Sequence, residues 1–104
     1  MSTPRQGEIW WAEAEDKRRP VLVVTRSDAV GALARVIVAP VTRTVRGIPT
    51  EVGLGPDEGL REPCAASFDN LLPLSRGLLT ARVGRLAPAR RVELCRALDA
   101  LADC

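Results

Sequence analysis

The chain of 104 residues contains no histidine, and its three cysteines are widely spaced. Cys64, Cys95 and Cys104 form no C-x-x-C pair, and without histidine they cannot complete a usual set of zinc ligands. We therefore interpret them as reduced thiols and expect neither a metal site nor another cofactor. The formal net charge is only +2, which is too small by itself to indicate a nucleic-acid-binding protein.

Long apolar runs are also missing. No segment reaches the roughly 18 apolar residues that a membrane-spanning helix requires, and residues 1–7 lack the apolar stretch of a secretory signal. We expect a cytoplasmic protein with no membrane partner. The composition, with 46% hydrophobic and 27% charged residues, is typical of a globular protein, and the length suits one domain over residues 1–104.

Short segments rich in β-branched residues alternate with turn residues. They predict strands over residues 8–14, 19–25, 34–42, 50–54, 64–68 and 81–86. The second segment is uninterrupted and apolar, which favours a central strand buried on both faces, preceded by a charged turn. A hairpin is the expected connection between the third and fourth strands.

The end of the chain has a helical pattern. Pro88 suits the first turn of a helix, and Val92, Cys95, Leu98 and Leu101 recur every three residues as one apolar stripe. We expect an amphipathic helix of about four turns. Together these elements predict a mainly β fold, in which a curled antiparallel sheet or small barrel packs against a C-terminal helix.

Several of these segments, in this order, resemble the MazF/PemK toxin family over nearly the whole chain. The segment most typical of that family is 36–42 (Val-Ile-Val-Ala-Pro-Val-Thr). The other matching segments are 7–11, 19–24, 59–60, 68–70, 83–86 and the terminal helix. The resemblance implies an SH3-like barrel of curled antiparallel strands and a homodimer. It also implies an RNA groove across the subunit interface, which the disordered tail of a cognate antitoxin protein can occupy.

The resemblance further implies a toxin of a type II toxin-antitoxin system that acts as a metal-independent, sequence-specific endoribonuclease. Such an enzyme cuts single-stranded RNA through its own 2′-hydroxyl and leaves a cyclic phosphate and a 5′-hydroxyl end. The family's catalytic arginine falls on Arg19 and its catalytic threonine on Thr42. A guanidinium suits the charge that develops on phosphorus, and a hydroxyl can bond a phosphate oxygen. Because arginine keeps its proton, the general base is left open between Asp16 and Glu15.

Polar residues around these two positions are candidates for RNA binding. They are Lys17, Arg18, Arg43, Thr44, Arg46 and Asn70, and their cations would follow the RNA backbone. Local explanations exist for each feature. Arg19 could pair with Asp16 or Glu15, the Thr42 hydroxyl could satisfy nearby backbone, and the other cations could be solvated surface charges.

Two other classes of function remain open. CcdB-like toxins that bind DNA gyrase share the barrel, but they end in a tryptophan-containing tail, whereas this chain ends Leu101-Ala102-Asp103-Cys104. A noncatalytic SH3-like module that binds peptide or RNA is the other alternative. It predicts binding that survives the loss of Arg19.

Overall fold

The computed structural model describes residues 3–14, 16–27 and 34–102. Within them lie the strands β1 (Glu8–Ala14), β2 (Lys17–Val23), β3 (Arg35–Thr42), β4 (Glu51–Leu54), β5 (Cys64–Ser67), β6 (Leu72–Ser75) and β7 (Leu79–Arg85). Helix α1 (Arg91–Ala102) follows a 3-10 turn at Pro88–Arg90. The curled antiparallel sheet forms a half-barrel, so the predicted mainly β fold with a C-terminal helix is confirmed.

Strands β1 and β2 form a tight hairpin in which Ala14 pairs with Lys17. Asp16 lies in the turn with a φ of 63°, the left-handed conformation that the second central residue of a type I′ hairpin turn adopts. Strand β2 therefore begins at Lys17, two residues before the predicted start. Lys17 and Arg18 belong to the strand and not to a loop, and this placement decides which way their side chains point.

Strand β3 has neighbours on both of its edges. Val38 to Pro40 pair with β2, Arg35 to Val38 pair with β6, and Val41 and Thr42 pair with β5. Because β5 lies between β3 and β4, the predicted hairpin of the third and fourth strands is wrong. The chain leaves the sheet after Thr42 and returns only at β4, so this connection is too long for a tight turn.

Strand β6 was not predicted. Its Pro73 has no N–H to donate, and proline in a short segment argues against a strand in the interior of a sheet. The strand pairs only with β3, so Pro73 lies on an edge strand, where that missing donor is tolerated.

The apolar residues of the sheet form two clusters. One contains Ile9, Leu22 and Phe68 and receives helix α1, while the other contains Trp10, Val21 and Val38. Neighbours such as Val21 and Leu22 point to opposite faces and are both buried, so the prediction that the second strand is covered on both sides is confirmed for this part.

Helix α1 packs on the sheet with a different stripe from the one predicted. Leu94 and Ala97 are buried and Leu98 packs against them, whereas Val92 is 48% exposed and Leu101 is 41% exposed. In a helix of 3.6 residues per turn, each step of three residues rotates by about 60° away from the starting face. A strict three-residue repeat therefore cannot stay on one side.

Arg90 joins the start of the helix to the sheet. Its guanidinium lies 3.1 Å from Glu58 Oε2 and 2.7 Å from Glu93 Oε1, and it donates to the carbonyl oxygen of Gly53 at 2.6 Å. Glu58 is only 6% exposed. The buried carboxylate thus depends on Arg90 for its countercharge.

Arg90→Ala should lower the free energy of unfolding by about 2–3 kcal/mol, because it leaves the Glu58 carboxylate buried without a cation. Urea unfolding followed by circular dichroism measures the change. Arg61→Ala removes an exposed arginine and should stay within about 0.5 kcal/mol of the parent protein. Equal stability of the two variants would contradict this role of Arg90.

Glu8 is a second buried carboxylate, 8% exposed, at the start of β1. Its Oε1 accepts from the Arg5 N–H at 2.8 Å and from Trp10 Nε1 at 3.1 Å, and its Oε2 accepts from the Arg82 guanidinium at 3.1 Å. Burial raises the pKa of Glu8, but the hydrogen bonds from Trp10, Arg5 and Arg82 outweigh it and hold the pKa below the ordinary 4.5.

A lowered pKa means that ionised Glu8 stabilises the fold above pH 4.5 and that this contribution is lost as the pH falls through the lowered value. Glu8→Gln should therefore cost about 2 kcal/mol at pH 7, and the difference should shrink as the solution is acidified below pH 4.5. Urea unfolding across this pH range tests it. Glu13→Gln, on the exposed part of the same strand, is the control, and a pH-independent cost at Glu8 would contradict the argument.

Candidate active-site groove

A groove of about 700 Å³ opens on the face of the sheet that carries Val21 and Leu74. Six of the residues predicted for the site line it, and these are Lys17, Arg19, Thr42, Thr44, Arg46 and Asn70. The predicted catalytic pair and four of the predicted RNA contacts thus meet in one place.

The pairing of β2 with β3 explains why Arg19 and Thr42 lie on the same face of the sheet. Val21 of β2 pairs with Pro40 of β3. Arg19 lies two residues before Val21, and Thr42 lies two residues after Pro40. Because the strands are antiparallel, both steps lead toward the same end of the strand pair. Because side chains alternate between faces, both residues share the face of Val21 and Pro40.

Arg19 is exposed at the groove, and no carboxylate among the described residues pairs with it. The predicted local alternative, an ion pair with Asp16, is therefore not formed. Asp16 lies in the β1–β2 turn and does not line the groove, so the structure does not bring this candidate base to Arg19 and Thr42. Glu15, the other candidate, lies outside the described residues.

Thr42 is half-buried, and its Oγ1 accepts a hydrogen bond from the Thr44 N–H at 3.1 Å. The predicted local role of this hydroxyl is therefore present. A hydroxyl has one hydrogen and two lone pairs, so accepting from Thr44 leaves its hydrogen free to donate to a phosphate oxygen. The same bond places Thr44 beside Thr42 at the groove.

Arg18 and Arg43, two of the residues predicted to bind RNA, do not line the groove. The Arg18 guanidinium lies over the Trp11 ring, 4.7 Å from its centroid. As the strand neighbour of Arg19, it points to the opposite face of β2. Arg43 Nε lies 3.9 Å from Glu62 Oε2, with both side chains largely exposed.

Sequence reasoning missed two polar residues of the groove, Glu51 and Ser67. Glu51 Oε1 accepts from the backbone N–H groups of Arg46 at 2.9 Å and Gly47 at 3.0 Å. Ser67 Oγ accepts from Asn70 Nδ2 at 2.9 Å. The sequence predicted a strand over residues 50–54, but no pattern in it showed that the face of Glu51 is the groove.

Charge and apolar surface are both present in the groove. Its lining holds the cations Lys17, Arg19 and Arg46 against one carboxylate, Glu51, so cations outnumber the acid among the described residues. Apolar lining comes from Val21, Pro40, Leu72, Pro73 and Leu74. Such a surface suits a polyanion that also carries flat apolar groups.

A family model described as "PemK-like, MazF-like toxin of type II toxin-antitoxin system" matches residues 5–102. The chain belongs to this family. It is 42% identical over 103 residues to the probable endoribonuclease MazF5 of Mycobacterium tuberculosis, covering 97% of this chain and 94% of that protein. The family and the enzyme class predicted from the sequence are thereby confirmed.

Solved structures of MazF toxins have the same fold. The Mycobacterium tuberculosis toxin MazF-mt6 is 36% identical, with a TM-score of 0.86 over 92% of this chain and 96% of that one. A mycobacterial endoribonuclease in complex with its cognate antitoxin is 26% identical, with a TM-score of 0.83 over 95% of this chain and 94% of that one. Among the described residues of this MazF-family chain, no helix is long and apolar enough to cross a membrane.

Proposed function

We propose that this MazF-family toxin is a metal-independent, sequence-specific endoribonuclease that cuts single-stranded RNA in the cytoplasm. The observation that carries the proposal is the shared groove of Arg19 and Thr42, flanked by Lys17 and Arg46. An open groove with cations and an apolar lining can hold an unpaired strand, whose backbone and bases both need contacts.

In the proposed reaction the RNA supplies the nucleophile. The 2′-oxygen loses its proton and bonds to the adjacent phosphorus, the bond from phosphorus to the 5′-oxygen breaks, and that oxygen gains a proton. The products are a 2′,3′-cyclic phosphate and a 5′-hydroxyl end. The enzyme has to hold the three atoms in line and stabilise the charge on the phosphate oxygens.

In the proposal, Arg19 and Thr42 position the phosphate and stabilise the charge on its oxygens. Among the described residues no carboxylate pairs with the Arg19 guanidinium, so none of them has to be displaced before its paired N–H groups bind phosphate oxygens. The Thr42 hydroxyl donates to one of these oxygens and helps to fix the position of the phosphate. Of the two candidate proton acceptors for the 2′-hydroxyl, Asp16 does not line the groove and Glu15 lies outside the described residues.

The proposal includes two protein partners of this chain. One is a cognate antitoxin, as supported by the mycobacterial relative that was solved in complex with its own antitoxin. In the proposal this antitoxin covers the groove. A second copy of the chain would complete a homodimer.

Arg19→Ala should reduce cleavage of single-stranded RNA by a factor of about 100 to 1,000, because the developing negative charge loses its main donor. The melting temperature should change little, since the side chain is exposed and makes no ion pair in the described structure. Initial rates on a fluorescent oligonucleotide, together with thermal unfolding, measure both effects.

Arg18→Ala is the matched control, because it removes the neighbouring arginine from the opposite face of β2. It should keep nearly full activity. If Arg19→Ala were folded and fully active, Arg19 would not belong to the site. If the parent protein bound RNA without cutting it, the noncatalytic module would be the better description.

Cleavage should persist in excess EDTA, because the proposed chemistry uses a guanidinium and a hydroxyl and no metal ion. The groove lining also holds a single carboxylate among the described residues, whereas nucleases that use two metal ions gather several. Mass spectrometry of the products should show cyclic phosphate and 5′-hydroxyl ends. Loss of activity in EDTA, with recovery on adding Mg²⁺, would contradict the mechanism.

A further inference from the structure

The two carboxylate oxygens of Glu51 differ in their hydrogen bonding. Its Oε1 accepts two backbone N–H groups, from Arg46 and Gly47, while Oε2 has no donor among the described residues. The carboxylate is half-buried and is the one acidic group that the described residues contribute to the groove lining. One oxygen therefore organises the segment after β3, and the other is available to a ligand.

Strand register places Glu51 away from the catalytic pair. Thr42 pairs with Ala65 of β5, and Ala65 pairs with Gly53 of β4. Glu51 lies two residues before Gly53, on the same face. Two strand spacings of about 4.8 Å therefore separate β4 from β3, which puts the Glu51 backbone roughly 10 Å or more from that of Thr42. A group at that distance faces a neighbouring nucleotide and not the phosphate that is cut.

A carboxylate oxygen discriminates between nucleobases by accepting N–H groups. Adenine, cytosine and guanine each carry an exocyclic amino group that can donate to it. Uracil has none, and its single N–H lies between two carbonyl oxygens that repel a carboxylate. In a single strand these base edges are exposed and can be recognised directly.

We propose that Glu51 is a specificity-determining residue, whose Oε2 accepts a hydrogen bond from the exocyclic amino group of a base beside the cleavage site. This inference rests on the proposed ribonuclease function and adds one recognised feature of its substrate. The bonds from Arg46 and Gly47 hold the carboxylate in position, so little side-chain freedom is lost when the base binds.

Glu51→Gln tests the proposal while keeping the two hydrogen bonds from the backbone N–H groups of Arg46 and Gly47. The two backbone N–H groups can pair only with the amide oxygen, so the amide nitrogen must occupy the place of Oε2. An acceptor facing the groove thereby becomes a donor. The variant should lose its preference for amino-bearing bases at one position and favour a base that presents a carbonyl oxygen, such as uracil.

The experiment digests a single-stranded RNA library, randomised around the cut, and sequences the product ends. The parent protein should disfavour uracil by roughly ten-fold at one position near the cut, and Glu51→Gln should reverse that preference. On a defined substrate, replacing the recognised amino group by hydrogen should lower kcat/KM by roughly ten-fold for the parent and hardly at all for Glu51→Gln.

Asp57→Asn is the control, because it removes one negative charge from an exposed residue outside the groove and should leave the preference unchanged. A folded Glu51→Gln with the parental preference would overturn the inference but leave the ribonuclease function standing. A uniform loss of rate without a change in preference would also overturn it, since a purely structural role gives that result. A parent protein that cuts no RNA would overturn both.

Discussion

The site depends on strand β3, which pairs with β2 on one edge and with β6 and then β5 on the other. This double pairing joins β2, β3, β5 and β4 into one curved surface. Side chains two residues apart along these strands then lie on the same face, and that face becomes the groove. Arg19 and Thr42 lie on the adjacent strands β2 and β3, and β5 joins β3 to the strand that carries Glu51.

The segment between β3 and β4 shows how the fold holds such a surface in place. It contains no strand, yet Thr42 bonds the Thr44 N–H at its start and Glu51 bonds the Arg46 and Gly47 N–H groups further on. Side chains of the sheet thus satisfy backbone groups of the loop. Loops held in this way can carry binding residues in a defined position, which open loops without such bonds do not.

Stability and function draw on separate charged groups in this protein. Buried carboxylates at Glu8 and Glu58 are paired with Arg82 and Arg90, and these contacts hold the ends of the sheet and the start of the helix. Arg19 at the groove has no carboxylate partner in the described structure. An arginine whose donors are unused suits the binding of an anionic ligand, because no existing ion pair must be broken first.

Residue patterns along the chain determined the local features of this protein. The β-branched segments, the two strands that carry Arg19 and Thr42, the terminal helix and the family resemblance could all be recognised from the order of residues, because each depends on neighbours a few positions apart. Tertiary structure alone decided which strands pair, so it placed β5 between β3 and β4 and set Leu94 and Ala97 of the helix against the sheet. It also turned Arg18 away from the groove and brought Glu51 into it, since the face that a residue shares with distant residues is set by register, which no local pattern contains.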